Sequence, residues 1–128
     1  MLNNLANLHK LCFPNKPWSA DDFADLKKFG CDVMASEHGF VVWRVVADEA
    51  EIITIGVHPD ARRGGIADAM LTLVESDVKK RGGKKIFLEV AENNVPARAL
   101  YEHNGYVQVG VRPKYYDGTD AILMEKIL

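Results

Sequence analysis

Residues 51–73 read EIITIGVHPDARRGGIADAMLTL, and this stretch predicts a strand, a tight turn and a helix in that order. The strand ends at Val57, and His58-Pro59-Asp60 follows it as a turn. Beyond the turn, apolar residues recur at the spacing of one helix face, and they are Ile66, Met70, Leu73, Val74 and Val78. Gly82-Gly83 closes this helix.

The turn between this strand and this helix holds two arginines and two glycines, Arg62-Arg63-Gly64-Gly65. Glycines let the backbone come close to an anion, and a helix start supplies N–H groups and a positive dipole end. The pattern therefore favours an anion site that suits a diphosphate. A Walker A loop or a G-x-G-x-x-G fingerprint is not present. The alternative is an ordinary turn that happens to contain glycines.

Further helices and strands are predicted on both sides of this strand-turn-helix segment. Upstream, two helices are predicted, and the second has Ser19 as its N-cap, Phe23, Leu26 and Phe29 along one side, and Gly30 at its end. Three strands with short turns follow, at Cys31–Ser36, Phe40–Ala47 and Glu51–Val57. Downstream of the loop helix comes a strand at Lys85–Val90. A short helix follows, with Asn94 and Pro96 as its cap region and first-turn proline, and it runs to Asn104-Gly105. The last two strands are Tyr106–Arg112 and Ala121–Leu128.

A loop with Tyr115 and Tyr116 is expected between the last two strands. The element order α-α-β-β-β-α-β-α-β-β predicts an α/β fold on a mixed sheet. The connection from Glu51–Val57 to Lys85–Val90 is long enough for a parallel crossover.

Composition narrows the class of protein. The chain has 128 residues, 48% hydrophobic and 27% charged, which predicts one globular domain over residues 1–128. A net charge of −2 argues against direct nucleic-acid binding. Cys12 and Cys31 have no zinc-module spacing, and the four histidines are scattered, so we expect surface or capping histidines and no metal. No leader or membrane-spanning run is visible, so a cytoplasmic protein without a membrane partner is expected.

Several spaced motifs resemble one enzyme family. Arg62-x-x-Gly65-x-Ala67 resembles the R/Q-x-x-G-x-G/A motif of GNAT acetyltransferases, in its expected place after a strand. From about His9 onward, the chain is similar to the bacterial ribosomal-protein-alanine N-acetyltransferases. The segments that carry this similarity are Pro17-Trp18-Ser19, Leu88-Glu89-Val90 with Asn94, Leu100-Tyr101-Glu102 and Tyr115-Tyr116.

The resemblance implies the GNAT fold, a mixed and mostly antiparallel sheet flanked by helices, whose central strands, ending at Val57 and Val90, splay apart. Relatives usually begin with one more strand, whereas this chain opens in a helix, so the first strand is expected to be missing. Ala91 stands where an arginine is usual, and Asp68 where a basic residue often sits.

The resemblance also implies acetyl-CoA as a co-substrate. Its diphosphate would lie on the backbone of residues 63–68, which are Arg63, Gly64, Gly65, Ile66, Ala67 and Asp68. Its pantetheine arm would pair with the backbone of Ile55, Gly56 and Val57, and the Asn94 amide would contact the coenzyme.

The implied chemistry is attack of an amine on a thioester, which needs a base and an acid. Glu89 interrupts an apolar strand and is the expected base, with a raised pKa; alternatively it points to solvent. Tyr101 is the expected acid for the thiolate, and the alternative is a core aromatic residue. Glu51 is a weaker candidate for the base.

Aromatic side chains mark the expected acceptor side. Trp18, Tyr115 and Tyr116 would flank a peptide N-terminus, although Trp18 also fits as an anchor between the first two helices. The expected function is acetyl transfer from acetyl-CoA to the N-terminal α-amine of a protein, a ribosomal protein being one such partner. The alternatives are a small-amine acetyltransferase and an acetyl-CoA-binding module without catalysis.

Overall fold

The computed structural model describes residues 2–13, 17–116 and 118–128. The helices are α1 (Leu2–Cys12), α2 (Ala20–Lys28), α3 (Ile66–Lys80) and α4 (Val95–His103), and a 3-10 turn spans Pro59–Ala61. The strands are β1 (Asp32–Ala35), β2 (Gly39–Val46), β3 (Glu49–Val57), β4 (Lys85–Ala91), β5 (Val107–Tyr116) and β6 (Thr119–Ile127). This element order confirms the predicted one, and the first described element is a helix.

The six strands form one mixed sheet in the order β1-β2-β3-β4-β6-β5. The pairs β1/β2, β4/β6 and β5/β6 are antiparallel, and β3/β4 is parallel. The parallel pair is joined through α3, as the length of the connection predicted. The parallel register covers Glu49–Glu51 against Lys85–Phe87, at the start of each strand. The predicted α/β fold class is confirmed.

Helix α2 begins where the sequence predicts. Ser19 and Asp22 form a capping box, in which the Asp22 N–H donates to Ser19 Oγ (3.1 Å) and the Ser19 N–H donates to Asp22 Oδ2 (2.8 Å). The C-terminal end differs. The helix stops at Lys28, and Phe29 is its C-cap with a side chain that is 73% exposed. Phe29 was predicted to lie along one side of α2 with Phe23 and Leu26, but it follows the last helical residue and is exposed, whereas Phe23 is buried.

The predicted apolar stripe of α3 is wrong at one position, Leu73. The buried residues of this helix are Met70, Leu71, Val74 and Val78, whereas Leu73 is 44% exposed. At about 100° per residue, the buried four cover an arc of roughly 100°, and Leu73 falls about 60° outside it. Leucines at 71 and 73 look alike in sequence, and only the direction of the core separates them.

The strand β5 and the hairpin it forms with β6 are longer than predicted. The strand continues to Tyr116, and Tyr116 pairs with Thr119, so Tyr115 and Tyr116 belong to a strand and not to a loop. Gly118 adopts a left-handed conformation (φ 86°), which suits a tight hairpin turn. Pro113 lacks an N–H, so it resembles a strand breaker, but β5 is the last strand of the sheet and an edge strand tolerates proline.

The residues group into two compact units. Unit 1 comprises residues 1–44 and 52–74, and unit 2 comprises residues 45–51 and 75–128. The core of unit 1 contains Leu5, Leu8, Phe23, Phe40 and Val42. In unit 2, alternate residues of β4 are buried, namely Ile86, Leu88 and Val90. The period of two leaves the other face of β4 for polar residues.

His9 lies inside the aromatic cluster of unit 1. Its side chain is 2% exposed, and the rings of Phe13, Trp18, Phe23 and Phe40 lie 4.8–5.5 Å from it. The N–H of Trp18 donates to His9 Nδ1 (3.0 Å). Burial lowers the pKa of His9 to about 4, against a smaller opposing effect of the Asp22 carboxylate. The expectation of surface or capping histidines is therefore wrong for His9.

The stability of the protein should depend on pH through His9. Its folded pKa lies below the unfolded value of 6.5, so the unfolded chain binds an extra proton between pH 6.5 and about 4. We expect the free energy of unfolding to fall as pH falls through this window, by about 2–4 kcal/mol for this group. Urea denaturation between pH 4 and pH 7.5 measures this slope.

The matched variants are His9→Gln and His38→Gln, since His38 is an exposed histidine of the same unit. His9→Gln should flatten the slope between pH 4 and 6.5, and His38→Gln should retain it. Equal slopes for both variants would contradict the assignment to His9.

Candidate active site

The loop between β3 and α3 has an unusual backbone. Arg63 (φ 69°) and Gly65 (φ 81°) both adopt left-handed conformations, and α3 begins at Ile66. The N–H groups of a first helical turn have no carbonyl partner within their own helix. Glycine fits such a conformation without strain, whereas an arginine there costs about 1 kcal/mol. The loop thus presents a tight turn and a helix start together, as an anion site requires.

Two side chains fasten this loop to the end of β3. Arg62 Nε and the Cys12 thiol both donate to the carbonyl oxygen of Val57, at 3.1 Å and 3.3 Å. Burial raises the pKa of the Cys12 thiol, although the nearby Arg62 guanidinium opposes this. The thiol therefore stays protonated as a donor. Arg62 acts as a tie within the loop, and Arg63 is exposed.

Close packing explains the glycine at position 56. A Cβ built on Gly56 would lie 2.7 Å from the Phe40 ring and 3.0 Å from Cys12 Sγ. Both distances are shorter than ordinary van der Waals contact, so any side chain here would displace β3 or the ring. The backbone of Ile55-Gly56-Val57 is thus held by its neighbours in unit 1.

In unit 2, a partly exposed sheet face carries Glu89. Residues paired across strands share a face, and so do residues two apart along a strand. The registers place the following residues on one face, which we call the Glu89 face: Glu49, Glu51, Lys85, Phe87, Glu89, Ala91, Val107, Gly110, Arg112, Ala121, Leu123, Glu125 and Ile127. Glu51, the weaker candidate for the base, therefore lies on the same face as Glu89.

Two cations neutralise part of this acidic face. Arg112 Nη2 lies 2.7 Å from Glu89 Oε1, and these side chains are 51% and 16% exposed. Lys85 Nζ lies 3.3 Å from Glu49 and 3.4 Å from Glu125, and these carboxylates raise the pKa of Lys85. The Glu89–Arg112 pair was not predicted. It joins β4 to β5 across β6, so no local sequence pattern signals it.

The residues expected on α4 are in place at its two ends. Asn94 is the N-cap, and its Oδ1 accepts from the Ala97 N–H at 3.3 Å. Tyr101 is buried, and its ring centroid lies 6.0 Å from that of Tyr106. Burial and the Glu75 and Tyr101 charges raise the pKa of Tyr106. In the described part of the chain, the Tyr106 hydroxyl has no hydrogen-bond partner.

Of the three residues expected on the acceptor side, the structure describes one side chain. Trp18 stacks on His9 with 4.8 Å between ring centroids, so it does anchor α1 to α2. Trp18 also lines an open cleft of about 320 Å³, together with Asp22, Asp25, Leu26 and Phe29. The side chains of Tyr115 and Tyr116 lie outside the described part of the structure.

The predicted site residues divide between the two units. The loop of residues 62–65 and the end of β3 belong to unit 1, and Glu89, Asn94 and Tyr101 belong to unit 2. Among the described side chains, no group of three or more His, Cys, Asp or Glu could hold a metal ion. No helix of the described ranges is long and apolar enough to span a membrane.

The sequence profile of the acetyltransferase (GNAT) family matches residues 2–106. The chain belongs to this family. It is 35% identical over 110 residues to the [ribosomal protein bS18]-alanine N-acetyltransferase of Escherichia coli K12, which covers 82% of this chain and 74% of that protein. The predicted family and its acetyltransferase activity are thereby confirmed.

Solved structures agree with this assignment. The crystal structure of the ribosomal-protein-S18-alanine N-acetyltransferase from Escherichia coli superimposes with a TM-score of 0.87 at 31% identity, over 98% of this chain and 86% of that one. A GNAT family acetyltransferase from Elizabethkingia anophelis with acetyl-CoA bound has a TM-score of 0.78 at 19% identity, over 95% and 89%. At that identity the second likeness concerns the fold alone.

The two loop glycines should respond differently to substitution. Gly65 is left-handed, so Gly65→Ala should lower the free energy of unfolding by about 1–2 kcal/mol. Gly64 is not left-handed, and a Cβ there would meet only the Ala61 carbonyl oxygen at an ordinary 3.6 Å. Gly64→Ala should therefore be neutral, or stabilising by about 0.4–1 kcal/mol. Urea denaturation of both variants measures the difference, and equal effects would show that the loop does not impose this conformation.

Proposed function

We propose that this acetyltransferase moves an acetyl group from acetyl-CoA to the N-terminal α-amine of a protein, with an alanine-starting ribosomal protein as the substrate class. The relative of 35% identity, whose name states that it acts on the alanine of ribosomal protein bS18, carries this proposal. The agreement covers most of both chains. We also propose that the protein acts in the cytoplasm, where ribosomal proteins are made.

The loop of unit 1 fits the diphosphate of acetyl-CoA. The left-handed residues at 63 and 65 and the start of α3 supply backbone N–H groups and a positive dipole end. The exposed Arg63 adds a positive charge. Residues 63–68 would hold the diphosphate, and Ile55-Gly56-Val57 would offer backbone groups to the amides of the pantetheine arm. Because Arg62 and Cys12 occupy the Val57 carbonyl, Val57 would contribute through its N–H.

Unit 2 supplies the groups for proton transfer. Acetyl-CoA provides a thioester, so transfer forms a C–N bond, breaks the C–S bond and requires a proton to leave the amine and another to reach the sulfur. Glu89 is the proposed base and accepts the amine proton on its carboxylate. Tyr101 is the proposed acid and donates its hydroxyl proton to the sulfur. Asn94 already uses Oδ1 as the cap of α4, so its side-chain N–H₂ would face the coenzyme.

The acceptor side is proposed from Trp18, Tyr115 and Tyr116. The stacking of Trp18 on His9 supports a rigid wall, and its open cleft leaves part of the ring accessible. A small amine needs no such wall, so the aromatic residues favour a peptide over the small-amine alternative.

The first experiment combines binding and turnover. We expect titration calorimetry to show acetyl-CoA binding and an alanine-starting bS18 peptide to release free thiol. Glu89→Gln should then lower kcat by about 10²–10⁴-fold, because it removes the base and keeps the shape. The control Glu102→Gln, an exposed acid on α4, should leave kcat unchanged.

Other outcomes separate the alternatives. Thiol release with polyamines but not with the peptide would indicate that the acceptor is a small amine and not a protein N-terminus. Binding of acetyl-CoA without thiol release with any amine would indicate an acetyl-CoA-binding module without catalysis. Turnover that survives Glu89→Gln would remove the base assignment and keep the function.

The acid assignment has its own test. Tyr101→Phe keeps the buried ring and removes the hydroxyl, so kcat should fall at least about tenfold while the stability changes little. Tyr106→Phe is the matched control, since it removes a hydroxyl from the neighbouring buried ring. That variant should keep kcat and gain stability, because its buried hydroxyl lacks a partner in the described structure. Steady-state kinetics on both variants measure this difference. An unchanged kcat for Tyr101→Phe would mean that Tyr101 is a core aromatic residue and not the acid.

A further inference from the structure

A path of small residues leads from Arg112 to Glu89 within unit 2. Arg112 pairs with Ala121 of β6, and Ala121 pairs with Ala91 of β4, so the three residues form one row across the sheet. Glu89 lies two residues from Ala91 on the same face. The two alanines carry only methyl groups. The long arginine side chain can therefore cross the row between them, and its guanidinium meets the carboxylate at 2.7 Å.

The neighbouring row also leaves the carboxylate accessible from β5. Glu89 pairs with Leu123, and Leu123 pairs with Gly110, which has no side chain. A Cβ built on Gly110 would lie 3.1 Å from Leu123 Cδ1, so the leucine extends over the glycine. In these two rows β5 contributes Gly110 and Arg112, and of these only Arg112 has a side chain that can reach Glu89.

From this arrangement we infer that Arg112 is a positioning residue for the acetyl transfer, which holds the Glu89 carboxylate in the orientation that accepts the amine proton. The inference rests on the proposed role of Glu89 as the base. Arg112 donates to Oε1, and the amine proton goes to Oε2 of the same carboxylate. The proton then leaves to solvent, Arg112 stays protonated throughout, and the C–N bond, the C–S bond and the sulfur proton change as in the proposed acetyl transfer.

Fixing a carboxylate rotamer matters because a base displaced by about 1 Å can lose up to 100-fold in rate. A glutamate has three side-chain torsions, and its neighbours on β4, Leu88 and Val90, point to the opposite, buried face. The contacts that restrain the carboxylate end must then come from the Glu89 face. A guanidinium suits this task, since its planar donors hold a carboxylate in a defined direction.

The test measures kcat and KM with the alanine-starting peptide in Arg112→Ala, Arg112→Lys and Lys85→Ala. Lys85→Ala is the matched control, because it also removes a cation that pairs with glutamates of the Glu89 face. We expect kcat to fall about 10–100-fold in Arg112→Ala, less in Arg112→Lys, and not at all in Lys85→Ala. The dissociation constant of acetyl-CoA should stay within about twofold in all three, which also reports that each variant folds.

Two readouts distinguish positioning from a structural role. Guanidinium ion at tens of millimolar should restore part of the kcat of Arg112→Ala, whereas sodium chloride at equal ionic strength should not. In a Glu89→Gln background, Arg112→Ala should cause no further loss, because Arg112 acts through Glu89.

An unchanged kcat in Arg112→Ala, a full further loss in the Glu89→Gln background, or an equal loss in Lys85→Ala would each overturn this inference alone. Failure of the wild-type protein to release thiol with any amine would overturn the proposed function and this inference together. Turnover that Glu89→Gln leaves unchanged would overturn the base assignment and with it the role of Arg112.

Discussion

The carbonyl oxygen of Val57 is the point on which the position of the loop between β3 and α3 depends. It accepts from the last residue of α1, through the Cys12 thiol, and from the loop that leads into α3, through Arg62 Nε. One atom at the end of β3 thus fixes a helix, a strand and a turn with respect to each other. The left-handed residues at 63 and 65 can persist because their surroundings hold the chain on both sides.

In unit 2 the constraint is the period of two along β4. Ile86, Leu88 and Val90 are buried, and this burial holds the strand in place. The alternate residues are then free to be charged, and Glu89 carries its carboxylate on a strand whose position is set by the opposite face. The buried residues and the proposed base therefore lie on opposite sides of a single strand. This separation lets the Glu89 face collect four glutamates without placing a charge in the core.

Local signals predicted most of the fold from the sequence. The N-cap at Ser19 and the proline and asparagine at the start of α4 each act within a few residues, so they are visible in one dimension. The direction of the core determines which leucine of α3 is buried. The sequence pattern predicted Leu73, whereas Leu71 is the buried one. Pro113 likewise does not end β5, because β5 lies at the edge of the sheet, where a missing N–H is tolerated.

The candidate site was predictable to the extent that its motifs are contiguous. The coenzyme loop and Glu89 lie in short segments that resemble those of a known family. The Glu89–Arg112 pair depends on the registers of three strands, and neither residue is near the other in sequence. The prediction for His9 was wrong, although a local signal existed, since Leu5, Leu8 and Cys12 lie on the same side of α1 as His9.

The stacking of Trp18 on His9 gives unit 1 a built-in optical probe. An indole ring in parallel contact with an imidazole is strongly fluorescent when the imidazole is neutral, and it is quenched when the imidazole carries a proton. The centroids are 4.8 Å apart and the rings are tilted by 14°, so the contact is close enough for such quenching. The part of the tryptophan emission that comes from Trp18, measured in a Trp43→Phe background, therefore reports the protonation of His9 and its contact with α2, and no external dye is needed.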